Sequence, residues 1–134
     1  MKASIRGLRL LPAALVFACL VPVDASAFEP HRGDAAVFST RFQGRPMANG
    51  VRFDAQARVA AHRELPFGTQ ARVTNLRTGA STVVTISDRG PHTPGRVIDL
   101  SPRAAREIGF STGVAPVEIR PLEPRPVAHR TAGR

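Results

Sequence analysis

The chain of 134 residues has no tryptophan, no tyrosine and a single cysteine, Cys19. Without Trp and Tyr it lacks the usual platform for stacking unpaired bases, which argues against a nucleic-acid partner although the chain is strongly basic. With one cysteine it cannot form an internal disulfide, so its fold must rest on packing. Lys2 is its only lysine, so all of its other Lys and Arg residues are arginines.

The first 27 residues have the pattern of an export signal. Lys2, Arg6 and Arg9 form a positive start, an apolar stretch runs over residues 10–23, and Ala25-Ser26-Ala27 is a small-x-small cleavage site. The predicted mature chain therefore begins at Phe28. The apolar stretch is short for a membrane span, which needs about 20 residues, so a retained anchor helix is the less favoured alternative.

Cys19 lies inside this segment and offers a second outcome. Ala18-Cys19 fits a lipidation site, whereas the bulky Phe17 before it and the apolar Leu20-Val21 after it fit poorly. Plain cleavage after Ala27 predicts an exported protein. Lipidation at Cys19 would instead produce a lipoprotein, which is the only membrane association that we expect.

The predicted mature chain carries an excess of positive charge. Three of the 19 Lys and Arg and one of the 10 Asp and Glu fall in the signal segment, which leaves a net charge of +7. A basic surface suits a polyanion, and an exported protein meets anionic cell-wall polymers more often than nucleic acid. The alternative is a soluble surface that is merely rich in arginine.

The remaining sequence is long enough for one domain. We predict a leader over residues 28–33, a folded domain over residues 34–120, and a disordered Pro/Arg-rich tail over residues 121–134. The tail contains three prolines and little apolar content.

The core pattern is mainly β. Residues 71–74 alternate between apolar and polar, and residues 81–86 are mostly β-branched, both of which favour strands. The Asn75–Gly79 stretch between them has the composition of a hairpin turn, and Asn49-Gly50 is another turn signal. Residues 96–100 and 116–119 complete the predicted strands.

One helix is predicted over residues 102–108. Ser101 can cap its first turn, Pro102 suits the first helical position, and Gly109 marks the end. Many short strands with one short helix predict a small closed β-barrel, whose strand order the pattern does not determine.

Asp88 opens the stretch Asp-Arg-Gly-Pro at the end of a predicted strand. It has two interpretations: an Asx turn, in which its side chain bonds the backbone two residues on, or a general acid aimed at a substrate. The local sequence alone favours the turn. His62 likewise fits either a structural hydrogen bond or a partner of that acid or its substrate. Asn49-Gly50 is by default a turn.

Two other chemistries fit the residues less well. A metal site would need His62 with Asp88 or His92, but the predicted mature chain has no helical His pair and no cysteine to complete a set, so we expect no metal and no cofactor. A hydrolase triad of Ser87, His62 and Asp99 lacks the Gly-x-Ser-x-Gly elbow. Asp99 is expected to be structural.

Four stretches that follow one another in order and spacing carry a resemblance to a known family. They read GRPMANGVRFD, AAHRELPFGTQARVTNLRTG, VVTISDRGP and GRVIDLSPRAAREIGF. Together they resemble the rare lipoprotein A (RlpA) family of bacterial cell-envelope proteins, over residues 35–120. The resemblance implies a six-stranded double-psi β-barrel.

It also implies an activity. Members are lytic transglycosylases that cleave peptidoglycan between N-acetylmuramic acid and N-acetylglucosamine, leave a 1,6-anhydro end, and in some cases prefer peptide-poor strands at the division septum. By position, Asp88 matches the family's catalytic acid and His62 its active-site histidine. We predict that Phe38, Asn49, Arg89 and Arg96 bind the substrate. The resemblance implies the glycan strand as partner and a periplasmic or outer-membrane location. We expect no nucleic-acid partner and a monomeric protein.

The chain departs from the family pattern at two places. Val51 stands where the family usually has a glutamate after Asn-Gly, which removes a carboxylate from the expected site. Residues 36–39 read Ala-Val-Phe-Ser where the family usually has Ser-Trp-Tyr-Gly. The alternative function is therefore a non-catalytic, expansin-like module that binds peptidoglycan.

Overall fold

The computed structural model describes Gly7 and residues 29–123. The predicted signal segment with Cys19, apart from Gly7, and the predicted tail beyond residue 123 lie outside the described residues. Within the described part, no helix is both long and apolar enough to cross a membrane.

Six strands close into a barrel in the order β1-β5-β2-β4-β3-β6. The strands are β1 (His31–Val37), β2 (Val59–Ala61), β3 (Gln70–Asn75), β4 (Ser81–Asp88), β5 (Arg96–Leu100) and β6 (Val114–Pro121). The pairs β1–β5 and β2–β4 are parallel, and the other pairs are antiparallel. The predicted six-stranded barrel with one short helix is confirmed.

Alternate residues of the strands fill the barrel interior, as the period of a strand requires. The fully buried side chains include Val73, Val84, Ile86, Ile98, Leu100, Val117 and Ile119. These β-branched and aliphatic residues form one cluster with the apolar face of the helix. The core therefore rests on packing without a disulfide.

The barrel begins earlier than the sequence predicted. β1 starts at His31, inside the predicted leader over residues 28–33, and β6 ends at Pro121, one residue beyond the predicted boundary. The reason is pairing across the chain: Arg32 lies opposite Glu118 in the β1–β6 ladder and forms a 2.9 Å ion pair with it. Gly33 is required next to this pair because a Cβ there would collide with the Val97 side chain.

The helix α1 (Pro102–Glu107) agrees with its predicted signals. Ser101 Oγ accepts a hydrogen bond from Ala104 N at 3.3 Å and donates one to Ala57 O at 2.6 Å, so the cap also fastens the helix to the preceding loop. Gly109 follows the helix with a φ of 94°, a left-handed conformation that favours glycine.

Glu107 connects the helix to the barrel. Its carboxylate accepts hydrogen bonds from Arg58 Nε at 2.8 Å, from Thr82 Oγ1 at 2.7 Å and from Arg103 Nε at 3.0 Å. The bonds from Arg58 and Thr82, followed by that from Arg103, lower the pKa of Glu107 from 4.5 to about 2. Its charged form is therefore stabilised in the folded state.

We expect Glu107→Gln to lower the melting temperature at neutral pH by roughly 4–8 °C, equivalent to about 1 kcal/mol because solvent screens a partly exposed group. The folded pKa lies below the unfolded one, so this stabilisation is complete above pH 4.5 and is lost as the pH falls toward 2. Thermal unfolding of the wild type and of Glu107→Gln from neutral to acidic pH measures this stabilisation. The difference between their melting temperatures should narrow below pH 4.5. Glu64→Gln, at an exposed residue, is the control; an equal loss there would contradict the prediction.

Candidate active site

Asp88 is the last residue of β4, and one of its carboxylate oxygens is fixed by the backbone. Oδ1 accepts a hydrogen bond from Ala48 N at 3.0 Å and another from Arg89 N at 2.9 Å. Neither donor lies two residues on, so the Asx-turn interpretation is wrong. No hydrogen bond to Oδ2 is present among the described residues, which leaves that oxygen available to a ligand.

The turn over residues 47–51 brings the Ala48 donor to Asp88. Asn49 N donates to Ser87 O at 3.2 Å, and Asn49 Oδ1 accepts from Val51 N at 3.0 Å. Gly50 adopts a φ of 85°, so the predicted Asn-Gly turn is confirmed. Asn49 was predicted to bind substrate; its Oδ1 instead closes the turn, and Asn49 does not line the cavity next to Asp88.

Asp88 lies in a cavity of about 310 Å³. We call it the Asp88 cavity; its other lining residues are Phe38, Phe42, Arg45, Pro46, Met47 and Phe53. Asp88 is the only carboxylate in this lining among the described residues, and the apolar and aromatic side chains around it suit one face of a sugar ring. Phe38 is thus placed beside the candidate acid, and its role in binding substrate stays a prediction.

Two further phenylalanines, which the sequence did not single out, belong to the same cavity. Phe53 packs against Phe38 with ring centroids 5.3 Å apart, and Arg41 and Arg45 lie over Phe42 at 5.0 and 5.7 Å from its centroid. The sequence does contain a signal for this aromatic cluster, because three of the seven phenylalanines fall between residues 38 and 53.

His62 is buried, with 5% of its surface exposed, and its ring has structural partners. Nδ1 accepts hydrogen bonds from Glu64 N at 3.1 Å and Leu65 N at 3.0 Å, and the ring stacks on His31 with centroids 5.8 Å apart. Because Nδ1 accepts twice, the neutral ring carries its proton on Nε2.

The expected contact between the His62 and Asp88 side chains is absent from the described residues. His62 lines a different cavity, of about 330 Å³, together with His31 and Arg63. What joins the two residues is backbone: His62 N donates to Asp88 O at 3.1 Å. A hydrogen bond from Nε2 to a substrate remains a prediction.

Burial, followed by the neighbouring His31, lowers the pKa of His62 from 6.5. The unfolded chain therefore binds this proton more readily, and stability should fall as the pH drops below 6.5 toward the lower folded value. We expect His62→Asn to flatten this fall, because Asn Oδ1 can still accept a backbone hydrogen bond but does not titrate.

Urea unfolding between about pH 7.5 and pH 5 measures this dependence. His92→Asn, at an exposed residue of the following loop, is the control and should keep the wild-type dependence. If His62→Asn were as sensitive to acid as the wild type, the stability change would have another origin.

The two predicted substrate-binding arginines are engaged by the protein itself. Arg89 Nη1 donates to His62 O at 3.1 Å and to Leu65 O at 2.8 Å, and its guanidinium lies 3.9 Å from the centroid of Phe67. It holds the 62–67 segment against the end of β4 and does not line the Asp88 cavity. Arg96 forms an ion pair with Asp99 and lines a separate cavity.

The other chemistries considered from the sequence are not assembled. Ser87 Oγ donates to Thr85 O at 3.3 Å and Asp99 pairs with Arg96, so neither joins His62 in a triad. Across residues 29–123, no group of three His, Cys, Asp or Glu side chains is placed to hold a metal ion.

Val51 lies at the end of the 47–51 turn, and its side chain is 58% exposed. Met47 N donates to Val51 O at 2.8 Å, so the backbone of Val51 adjoins a residue that lines the Asp88 cavity. The position where the resembled family has a glutamate is therefore exposed and next in the turn to a lining residue, although Val51 itself does not line the Asp88 cavity.

Comparisons with known proteins agree with this fold. A double-psi β-barrel family described as lytic transglycolase matches residues 31–119. A Nostoc protein named probable endolytic peptidoglycan transglycosylase RlpA is 62% identical over 122 residues, covering 90% of this chain and 31% of that protein. The Pseudomonas aeruginosa endolytic peptidoglycan transglycosylase RlpA is 43% identical over 93 residues, covering 69% of this chain and 27% of that protein. The chain thus spans about a third or less of these relatives.

Solved structures share the barrel at lower sequence identity. A Clavibacter michiganensis expansin mutant, solved in complex with cellohexaose, has a TM-score of 0.58 and 19% identity, covering 71% of this chain and 51% of that one. A Streptomyces papain inhibitor has a TM-score of 0.55 and 20% identity, covering 71% of this chain and 96% of that one. Since proteins with such different names share it, the barrel by itself does not specify a function.

Proposed function

The chain belongs to the RlpA-like lytic transglycolase family of double-psi β-barrels, and on that basis we propose that it is an endolytic peptidoglycan lytic transglycosylase with Asp88 as its acid. The observation that carries the proposal is the Asp88 carboxylate, with Oδ1 fixed by two backbone N–H groups and Oδ2 free of protein hydrogen bonds within residues 29–123. The proposed substrate is a peptide-poor strand of alternating N-acetylmuramic acid and N-acetylglucosamine.

In the first step, protonated Asp88 donates its proton to the glycosidic oxygen. The bond from C1 of N-acetylmuramic acid to that oxygen breaks, the N-acetylglucosamine leaves with a free hydroxyl, and the sugar passes through an oxocarbenium-like state. Because backbone groups hold Oδ1, the carboxyl needs no rotation to present Oδ2.

In the second step, the C6 hydroxyl of the same sugar attacks C1 and transfers its proton to the Asp88 carboxylate. This closes the 1,6-anhydro ring, restores the acid and consumes no water. An intramolecular nucleophile explains how one carboxylate in the Asp88 cavity can suffice where ordinary glycosidases use two.

The rest of the Asp88 cavity supports sugar binding. Phe38 and Phe42, which are half-buried, present apolar ring surface, and Arg45 adds a hydrogen-bond donor. Phe53 is buried and supports the Phe38 ring by packing against it. Phe38 is the one aromatic residue at residues 36–39, where the family pattern has a tryptophan and a tyrosine.

Digestion of peptide-free glycan strands with the purified protein tests the proposal. Mass spectrometry should find products that end in 1,6-anhydro-N-acetylmuramic acid, which are lighter by one water than hydrolysis products. Products with an added water would make the protein a hydrolase, and intact strands after long incubation would contradict cleavage altogether.

A second candidate function is glycan binding without cleavage. The observation that favours it is that Asp88 is the single carboxylate lining its cavity in the described part of the chain, Val51 having replaced the family's glutamate. Pull-down on intact sacculi with no released fragments would establish this alternative.

We propose further that the protein is exported to the periplasm and acts in cell wall remodelling at septation. The signal pattern over residues 1–27 supports export. N-terminal sequencing of protein recovered from the envelope should begin at Phe28. Incorporation of labelled fatty acid that disappears in Cys19→Ser would instead establish the lipoprotein.

A further inference from the structure

A second cavity, of about 570 Å³, adjoins the Asp88 cavity. We call it the Arg96 cavity; it lies between the end of β1, the helix α1 and the segment before β6. Phe38 lines both cavities, so it is their shared wall. A polymer bound at Asp88 can therefore continue across Phe38 into the second cavity.

The Arg96 cavity is cationic and polar. Among the described residues its lining has two arginines, Arg96 and Arg106, and no acidic residue. Asp99 neutralises one of these charges through its ion pair with Arg96, so Arg106 supplies the excess positive charge. Ser111 and Thr112 add hydroxyl groups to the lining.

Neither arginine is saturated by protein partners. Arg96 Nε is buried and has no hydrogen-bond partner within residues 29–123, and a buried donor of this kind costs free energy unless something satisfies it. Arg106 makes one hydrogen bond, from Nη2 to Gln56 Oε1 at 3.2 Å, and its side chain is otherwise exposed. Arg106 therefore has exposed N–H groups that suit a carboxylate, beside the positive charge of Arg96.

We infer that the Arg96 cavity is a subsite for an anionic substituent of the glycan strand, namely the lactyl carboxylate of N-acetylmuramic acid. This rests on the proposed function, because the strand is what links the two cavities. A peptide stem joins the lactyl group through an amide and removes its charge there, so only a peptide-free residue offers a carboxylate at this position. The subsite thus selects strands from which the stems have been removed.

Binding of strands that differ only in this charge tests the inference. Peptide-free strands and the same strands with lactyl carboxylates converted to methylamides are titrated into Asp88→Asn protein, which does not turn them over. We expect the carboxylate strands to bind roughly fivefold more tightly at low ionic strength, and the difference to shrink with salt.

Matched variants in the Asp88→Asn background identify the side chain that recognises the lactyl carboxylate. Arg106→Gln should abolish the preference and Arg106→Lys should keep part of it, whereas Arg77→Gln, which removes the same charge from the β3–β4 turn, should keep all of it. Melting curves verify folding, and Arg106 is the safer target because Arg96 also pairs with Asp99.

The possible results separate the subsite from the activity. Equal binding of the carboxylate and methylamide strands would overturn the subsite. If the wild type still cleaved strands to anhydro products, the proposed function would be unaffected by that result. An equal effect of Arg77→Gln and Arg106→Gln would overturn it too, because the preference would then be general charge attraction. If the protein neither bound nor cleaved either strand, the subsite and the proposed function would both be wrong.

Discussion

Asp88→Asn should abolish formation of anhydro-ended products, lowering the rate by roughly 10²- to 10⁴-fold, which is the usual contribution of a general acid. Asparagine keeps a carbonyl oxygen that can accept from Ala48 N and Arg89 N, so the 47–51 turn should stay fastened to β4. What it lacks is the proton for the leaving oxygen. Digests of peptide-free strands quantified by mass spectrometry measure the loss.

Asp54→Asn is the matched control for this variant. Asp54 is exposed and its Oδ1 caps a local turn by accepting from Gln56 N at 2.9 Å, so the same chemical change there should leave the rate unaltered. Asp88→Asn should also retain glycan binding, which distinguishes loss of chemistry from loss of the site. Substantial cleavage by a folded Asp88→Asn protein would show that another group donates the proton.

The elements that were predicted from the sequence are those whose signals are local. Residues 81–86 are mostly β-branched, and the helix has its cap at Ser101 and its stop at Gly109, so both were recognised and both are confirmed. Residues 31–33 of β1 were placed in a leader because they carry no apolar side chain, and their strand conformation depends on pairing with residues of β6 that are more than 80 positions away in the chain. β2 has only three residues, two of them alanine, and pairing with β4 and β5 makes it a strand.

The candidate site was likewise predicted only in part from the sequence. Asp88 was identified from the family-like order of motifs, and its place at a strand end follows from the β4 pattern. Phe42 and Phe53 were not predicted, because a long, mostly irregular connection between β1 and β2 brings them to Asp88. Arg106, which lies on the helix, was not predicted either. The orientation of His62 depends on two backbone N–H groups that follow it in the chain, which no composition or spacing signal reports.

The second large effect is expected at Val51. We expect Val51→Glu to raise the rate of anhydro-product formation about tenfold or more, because a positioned carboxylate contributes on the order of 10²- to 10⁴-fold in acid–base catalysis and a flexible one on the turn beside the cavity contributes less. Two carboxylates could divide the work, one donating the proton to the leaving oxygen and the other accepting it from the C6 hydroxyl. The side chain at this position is 58% exposed, so the substitution should cost little stability.

Val51→Gln is the matched control, since it has the same length and polarity without the charge or the ability to exchange a proton. Initial rates on peptide-free strands should rank Val51→Glu above both Val51→Gln and the wild type, and Asp88→Asn combined with Val51→Glu should remain inactive if Asp88 is the donor. Equal rates for glutamate, glutamine and valine would mean that the carboxylate of the family pattern has no part in the chemistry of this chain. The reaction would then depend on Asp88 alone, with the sugar's own C6 hydroxyl as the nucleophile and Asp88 returning as the base, because the Asp88 cavity offers no second carboxylate within the described residues.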